Sequence, residues 1–114
     1  MGYRTENIDA DGVKNLGNAN ASDGKDRFFA TIFCQGGGGN NFGSGTVAIT
    51  ISADGGTTKI PALKPDGTAL TFSANGAQNI ELGFGTSQTQ IQIYATMTGS
   101  TAPNVDLFMF DNAS

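Results

Sequence analysis

Residues 46–53 read Thr-Val-Ala-Ile-Thr-Ile-Ser-Ala, and Asp54-Gly55-Gly56-Thr57-Thr58 follows directly. The stretch alternates in character. Val47, Ile49, Ile51 and Ala53 fall on one face, and Thr46, Ala48, Thr50 and Ser52 on the other. A period of two is what a β-strand with one buried face requires, because successive Cβ atoms point to opposite sides. Asp54-Gly55-Gly56 then reads as a turn, in which a carboxylate accepts from turn amides while glycine takes positive φ.

The same texture continues on both sides. Residues 27–35 predict a strand, and 36–41, with four glycines and two asparagines, predict a hairpin loop after it. Residues 57–61 form a short strand whose Pro61 marks an end or a sheet edge. Pro65-Asp66-Gly67 is a turn, residues 69–74 put Leu70 and Phe72 inward, and Asn75-Gly76 is a turn of the hairpin type. Residues 79–84 align Ile80, Leu82 and Phe84. Residues 89–98 align Ile91, Ile93, Ala95 and Met97 against Gln90, Gln92, Tyr94 and Thr96. Residues 105–110 give the last strand. About seven strands with no helical period predict an all-β fold: a two-sheet sandwich, immunoglobulin-like or jelly-roll.

Charge divides the chain. Residues 1–27 carry nine charges, whereas 28–114 carry seven. The first segment has only Tyr3, Ile8, Val13 and Leu16 as large apolar residues and shows no strand period. Residues 1–26 are therefore expected as an extended polar N-terminal arm, or a frayed terminus, beside a β-sandwich domain at 27–114. With 114 residues in all, one domain is expected.

Two strands are apolar on both faces. Phe28, Ile32 and Cys34 oppose Phe29 and Phe33, and Val105, Leu107 and Met109 oppose Phe108 and Phe110. A sandwich strand normally keeps one wet face. Either the chain itself covers the second face, or another subunit does; on the latter reading Phe28, Ile32, Phe108 and Phe110 line an oligomer interface. The other faces use Thr, Ser, Gln and Tyr rather than Lys and Glu, a composition suited to wet contacts between subunits. Gln90, Gln92 and Tyr94 could alternatively line a glycan groove, or form an ordinary wet sheet face.

The residue inventory bounds the chemistry. There is no histidine, so Ser-His-Asp and Cys-His mechanisms and the usual zinc sites have no ligand or base. Cys34 lies mid-strand with no base nearby and is expected as a buried thiol. Asp54 and Asp66 are explained by turns, and Glu81 and Asp106 by outward strand positions. Asp9-Ala10-Asp11-Gly12 lacks the further ligands of a calcium loop and is expected as a solvated Asx turn. No enzyme activity, cofactor or metal is expected. The net charge is −4 with six dispersed basic residues, which disfavours nucleic acid and anionic membrane as partners. Met1-Gly2-Tyr3-Arg4 leads into no apolar run, and a lone cysteine supports no internal disulfide; synthesis in a reducing cytoplasm is expected.

Ser52-Ala53-Asp54-Gly55-Gly56-Thr57-Thr58 resembles an Asp-box, with Lys59 where an aromatic is usual. From Gly45 to about Asn112 the chain resembles small β-sandwich virion proteins of tailed bacteriophages, of the capsid decoration and head-fibre type. The residues that carry this are Thr-Val-Ala-Ile-Thr-Ile-Ser-Ala-Asp-Gly-Gly-Thr-Thr, then Pro-Asp-Gly-Thr, then Asn-Gly-Ala-Gln-Asn-Ile-Glu-Leu. The resemblance implies a decoration (cement) protein on the capsid surface. Such a protein binds the major capsid protein, often as a trimer, and stabilises the head. The arm would then supply Arg4, Lys14 and Lys25 as contacts to acidic capsid loops. A tail or head-fibre component, or a host-glycan-binding module, is the alternative.

Overall fold

The computed structural model describes residues 2–19, 27–35, 41–64, 66–83 and 91–111. These form nine strands and no helix: β1 (Gly2–Ile8), β2 (Gly12–Ala19), β3 (Arg27–Gln35), β4 (Thr46–Ser52), β5 (Ile60–Pro61), β6 (Thr71–Phe72), β7 (Gly76–Gly83), β8 (Ile91–Thr98) and β9 (Val105–Asp111). One sheet runs β1-β9-β3-β7. The other runs β2-β8-β4-β5, with β6 also paired to β4.

The pairing is nested. β1 pairs β9, β2 pairs β8, β3 pairs β7, and β4 pairs β5 and β6, all antiparallel. The chain is thus one long hairpin, with its apex at the turn after β4, rolled so that successive pairs fall in alternate sheets. That winding is a jelly roll. The expected two-sheet sandwich is present, and the strand order selects the second of its two expected forms.

The nesting corrects two turns. Asn75-Gly76 does not close a hairpin, because β6 belongs to the second sheet and β7 to the first. Gly76 instead opens β7 opposite Cys34. The segment after β3 likewise crosses between sheets, since β4 lies in the second; residues 36–40 are outside the described residues. The Asp54 turn joins paired neighbours, β4 and β5, and the turn at Asp66-Gly67 lies between the paired Leu63 and Ala69.

The N-terminal arm is corrected as well. Residues 2–19 are not an extension beside the sandwich: β1 supplies an edge of the first sheet, and β2 an edge of the second. Ile8 and Leu16 from these strands are fully buried in the core. Backbone pairing repays the ordering of β1, with seven residues in register from Gly2↔Asp111 to Ile8↔Val105. The polar sequence hid the strand because Glu6 and Lys14, both half-buried, sit opposite the core residues Leu107 and Ala95. Charges on the inward side of an edge strand discourage pairing with foreign chains. The segment's connection to the sandwich, residues 20–26, lies outside the described residues.

Between the sheets, Ile32, Val47, Ile49, Leu70, Ile93, Met97, Leu107 and Met109 form a continuous apolar core. Pro61 lies on the two-residue edge strand β5, where its missing N–H costs no ladder bond.

Candidate functional site

The outer face of the first sheet is built by the outward residues of β1, β9, β3 and β7. Register places Thr5 opposite Phe108, Phe108 opposite Phe33, and Phe33 opposite Ala77. Phe33 and Phe110 are each 39% exposed. Their rings meet edge to face, with centroids 5.7 Å apart and planes at 86°. Thr31, opposite Phe110 and two residues before Phe33, donates to Asn79 Oδ1 at 2.8 Å, which occupies polar groups that would otherwise seek water. Toward β1 the face dips into an open groove of ≈ 330 Å³ lined by Thr5, Glu6, Asn7, Asp106 and Phe108. Asn7 Nδ2 donates to Asn104 Oδ1 at 3.0 Å and to Asp106 Oδ1 at 2.8 Å along its rim. Exposed aromatics on a rigid sheet are the kind of group that anchors a protein interface.

This face reorders the expected interface. Ile32 is a core residue with no exposure, opposite Met109, so it cannot contact a partner. The inward parity of β3 belongs to Ala30, Ile32 and Cys34, all buried. Phe33, which had been set on the opposite face, takes the place of Ile32 beside Phe108 and Phe110. Phe108 is half-buried and outward. Phe28 sits on β3 opposite Leu82, but its side chain is outside the described residues. Burial of Cys34 is borne out, and it pushes the thiol up to about 12.

The positive contacts assigned to an arm fare differently. Arg4 lies on β1 opposite Met109, with its side chain outside the described residues. Lys14 is half-buried on β2 opposite Ala95. Both are held in sheet edges rather than on a free segment, and Lys25 is outside the described residues.

On the second sheet, Gln92, Tyr94 and Thr96 share the outer face with Thr46, Ala48 and Thr50 of β4. Tyr94 is only 9% exposed. Lys59 Nζ stands 4.9 Å from its ring centroid and also donates to the Gly56 carbonyl at 2.9 Å. Gly56, at φ +96°, packs so close that an added Cβ would lie 2.5 Å from the Tyr94 hydroxyl. The ring is therefore roofed by the Asp54 turn and offers no open stacking platform. Thr50 Oγ1 and Gln92 Oε1 beside it are buried without a hydrogen-bond partner. Gln90 lies outside the described residues. The role of Lys59 could not be read from sequence, because its contact with Tyr94 spans two strands.

Two carboxylates, Asp54 and Asp11, hold turns in place. Asp54 Oδ1 accepts from Thr58 N at 2.9 Å and Ser52 Oγ at 2.7 Å, while Ser52 Oγ accepts from Gly56 N at 2.9 Å. The Thr58 amide and then the Ser52 hydroxyl hold Asp54 below the usual carboxylate range. Asp11 is exposed in the turn between β1 and β2, as expected, and also accepts from the hydroxyl and, at 3.0 Å, the amide of Ser100, tying that turn to the β8–β9 connection. The Ser100 hydroxyl is the main cause of its lowered pKa. Among the described residues no cluster of three potential metal-binding side chains occurs.

No protein-family model matches the chain, and no curated protein matches it. Solved structures give distant likenesses. TmCBM61, solved in complex with beta-1,4-galactotriose, is 12% identical with a TM-score of 0.40, over 98% of this chain and 62% of that one. The carbohydrate binding module CBM6cm-2 from Cellvibrio mixtus lichenase 5A, in complex with cellotriose, is 21% identical with a TM-score of 0.39, over 95% and 77%. The infectious bursal disease virus Gx strain structure is 13% identical with a TM-score of 0.42, over 95% and 29%. This chain spans less than two thirds of the length of the first of these. Identities and TM-scores this low carry no functional assignment, and a jelly roll by itself selects none.

Proposed function

We propose that the protein is a structural component of a virus particle, a capsid decoration protein that binds the major capsid protein and stabilises the head. The observation that carries this reading is the aromatic outer face of the first sheet, where Phe33 and Phe110 stay 39% exposed on rigid strands. A covered face would remove them from water at about 25 cal/mol per Å² of apolar area. The sequence resemblance from Gly45 to about Asn112 supplies the partner. In this role the protein performs no catalysis and needs no cofactor, and its place is the outside of the capsid after synthesis in the host cytoplasm. Co-sedimentation with expanded capsids tests it. Wild-type protein is expected to bind and to raise the temperature at which the heads rupture, and Phe33→Ser or Phe110→Ser to weaken both. Absence of binding to capsids from the same virus overturns it.

The alternative, a host-glycan or fibre role, places its ligand on the second sheet, where Gln92 and Tyr94 share a face with Thr50. It requires Lys59 to leave the Tyr94 ring. A glycan array on which Lys59→Ala gains signal over wild type would favour it.

A further inference from the structure

A sheet edge presents unpaired N–H and C=O groups, and proteins blunt such edges with charges, prolines, bulges or short strands. Three of the edges here carry such a device. β1 has Glu6 half-buried on its inward side. β2 has Lys14 in the same position and a register shift between Asn15 and Gly17, with the Gly17 amide turned onto Asn15 Oδ1 at 2.6 Å. β5 is two residues long and contains Pro61. β7 differs. It runs eight residues, Gly76–Gly83, with no proline. It pairs β3 without a shift from Arg27↔Gly83 to Cys34↔Gly76 and, among the described residues, ends the sheet. Its one charge is Glu81, exposed on the outer face with Ala77 and Asn79.

We propose that β7 is a self-association edge, which pairs antiparallel with β7 of a second copy of this chain about a two-fold axis. An isologous strand pair closes at two copies. The product is one eight-stranded sheet whose outer face joins the two aromatic patches, since Phe33 lies opposite Ala77. Charge favours this edge: the chain carries −4 overall, yet β7 brings one carboxylate per copy. With the axis at Asn79, Glu81 faces Ala77 of the second copy; with the axis at Ile80, it faces Asn79. Neither register sets like charges opposite. The inference does not depend on the capsid role, and it replaces the trimer that the sequence resemblance implied with a dimer.

The full chain tests it. Light scattering across a concentration series is expected to move from 11.7 kDa to twice that mass. Hydrogen exchange is expected to slow at β7 amides as concentration rises, and to stay unchanged at β1 and β2. Ala77→Glu together with Asn79→Glu sets acidic groups against each other in either register and is expected to weaken the dimer about tenfold or more at low salt. Added salt should restore part of the loss. Ala77→Glu alone keeps the Thr31–Asn79 bond and controls for the fold. A monomer at all concentrations, a trimer, or a dimer whose β7 amides exchange at the monomer rate overturns the proposal.

Discussion

Phe33 and Phe110 pack edge to face across the outer surface of the first sheet, their ring centroids 5.7 Å apart, and both residues keep part of their surface exposed. Each supports the orientation of the other, so removing one should loosen both. Phe110→Ser is expected to cost about 1 kcal/mol of stability, the scale of one aromatic pair. Its effect on capsid binding should be larger, about tenfold or more in Kd, as for an interface anchor. Denaturant melts beside sedimentation binding separate the two. Equal losses in both would make the pair structural rather than adhesive.

Ile8 and Leu16 test whether the first nineteen residues belong to the body. Both are fully buried, one from each sheet. Ile8→Ala and Leu16→Ala should each destabilise by about 2–4 kcal/mol, the usual range for a large core side chain cut to alanine. Urea titration gives the number. A change below about 0.5 kcal/mol, typical of surface sites, would return these residues to an arm.

The thiol of Cys34 has a pKa pushed up to about 12 by burial. At pH about 8 almost none is thiolate, and the sulfur is also out of reach. A coloured disulfide reagent should report no free thiol in the native protein and one equivalent in denaturant. Rapid native labelling would mean that β3 opens locally.

Asp54 makes the apex turn sensitive to acid. Its folded pKa lies below the ordinary 3.8, so its contribution is complete above that value and is lost as pH falls toward the folded pKa. Asp11 and Asp66 are lowered in the same direction. The melting temperature should therefore be flat near neutrality and drop below pH about 4. In Asp54→Ala the melting temperature should start lower and drop less steeply. Parallel curves for the two proteins would show that the carboxylate does not hold the turn.

A strand lies at each of the seven places read between residues 27 and 110, although the expected strands at 57–61 and 69–74 shrink to two residues each, Ile60–Pro61 and Thr71–Phe72. The strands at Gly2–Ile8 and Gly12–Ala19 were not legible. Edge strands are allowed polar residues on their inward side, so Glu6 and Lys14 erased the period. Where both parities are apolar, as in Phe28 to Cys34, alternation shows that a strand exists but not which face is inward. Only pairing decides that: Ile32 lies opposite Met109 inside, and Phe33 opposite Phe108 outside. The same limit explains Asn75-Gly76. A turn signal states that the chain bends, and only the sheet order states whether the next strand returns beside the last. The Lys59–Tyr94 contact was invisible for a related reason, since it joins residues 35 positions apart.

The nested pairing also dictates an order of assembly. Contacts near the Asp54 turn close short loops, whereas Gly2 meets Asp111 only across a loop that contains the seven strands between β1 and β9. On the ribosome β1 emerges before the other eight strands yet is the last of them to find its place, and until β9 emerges Ile8 lacks its partner Val105. Such a fold should refold slowly, zipping outward from its apex, and β1, waiting for β9, is the strand most in need of a chaperone.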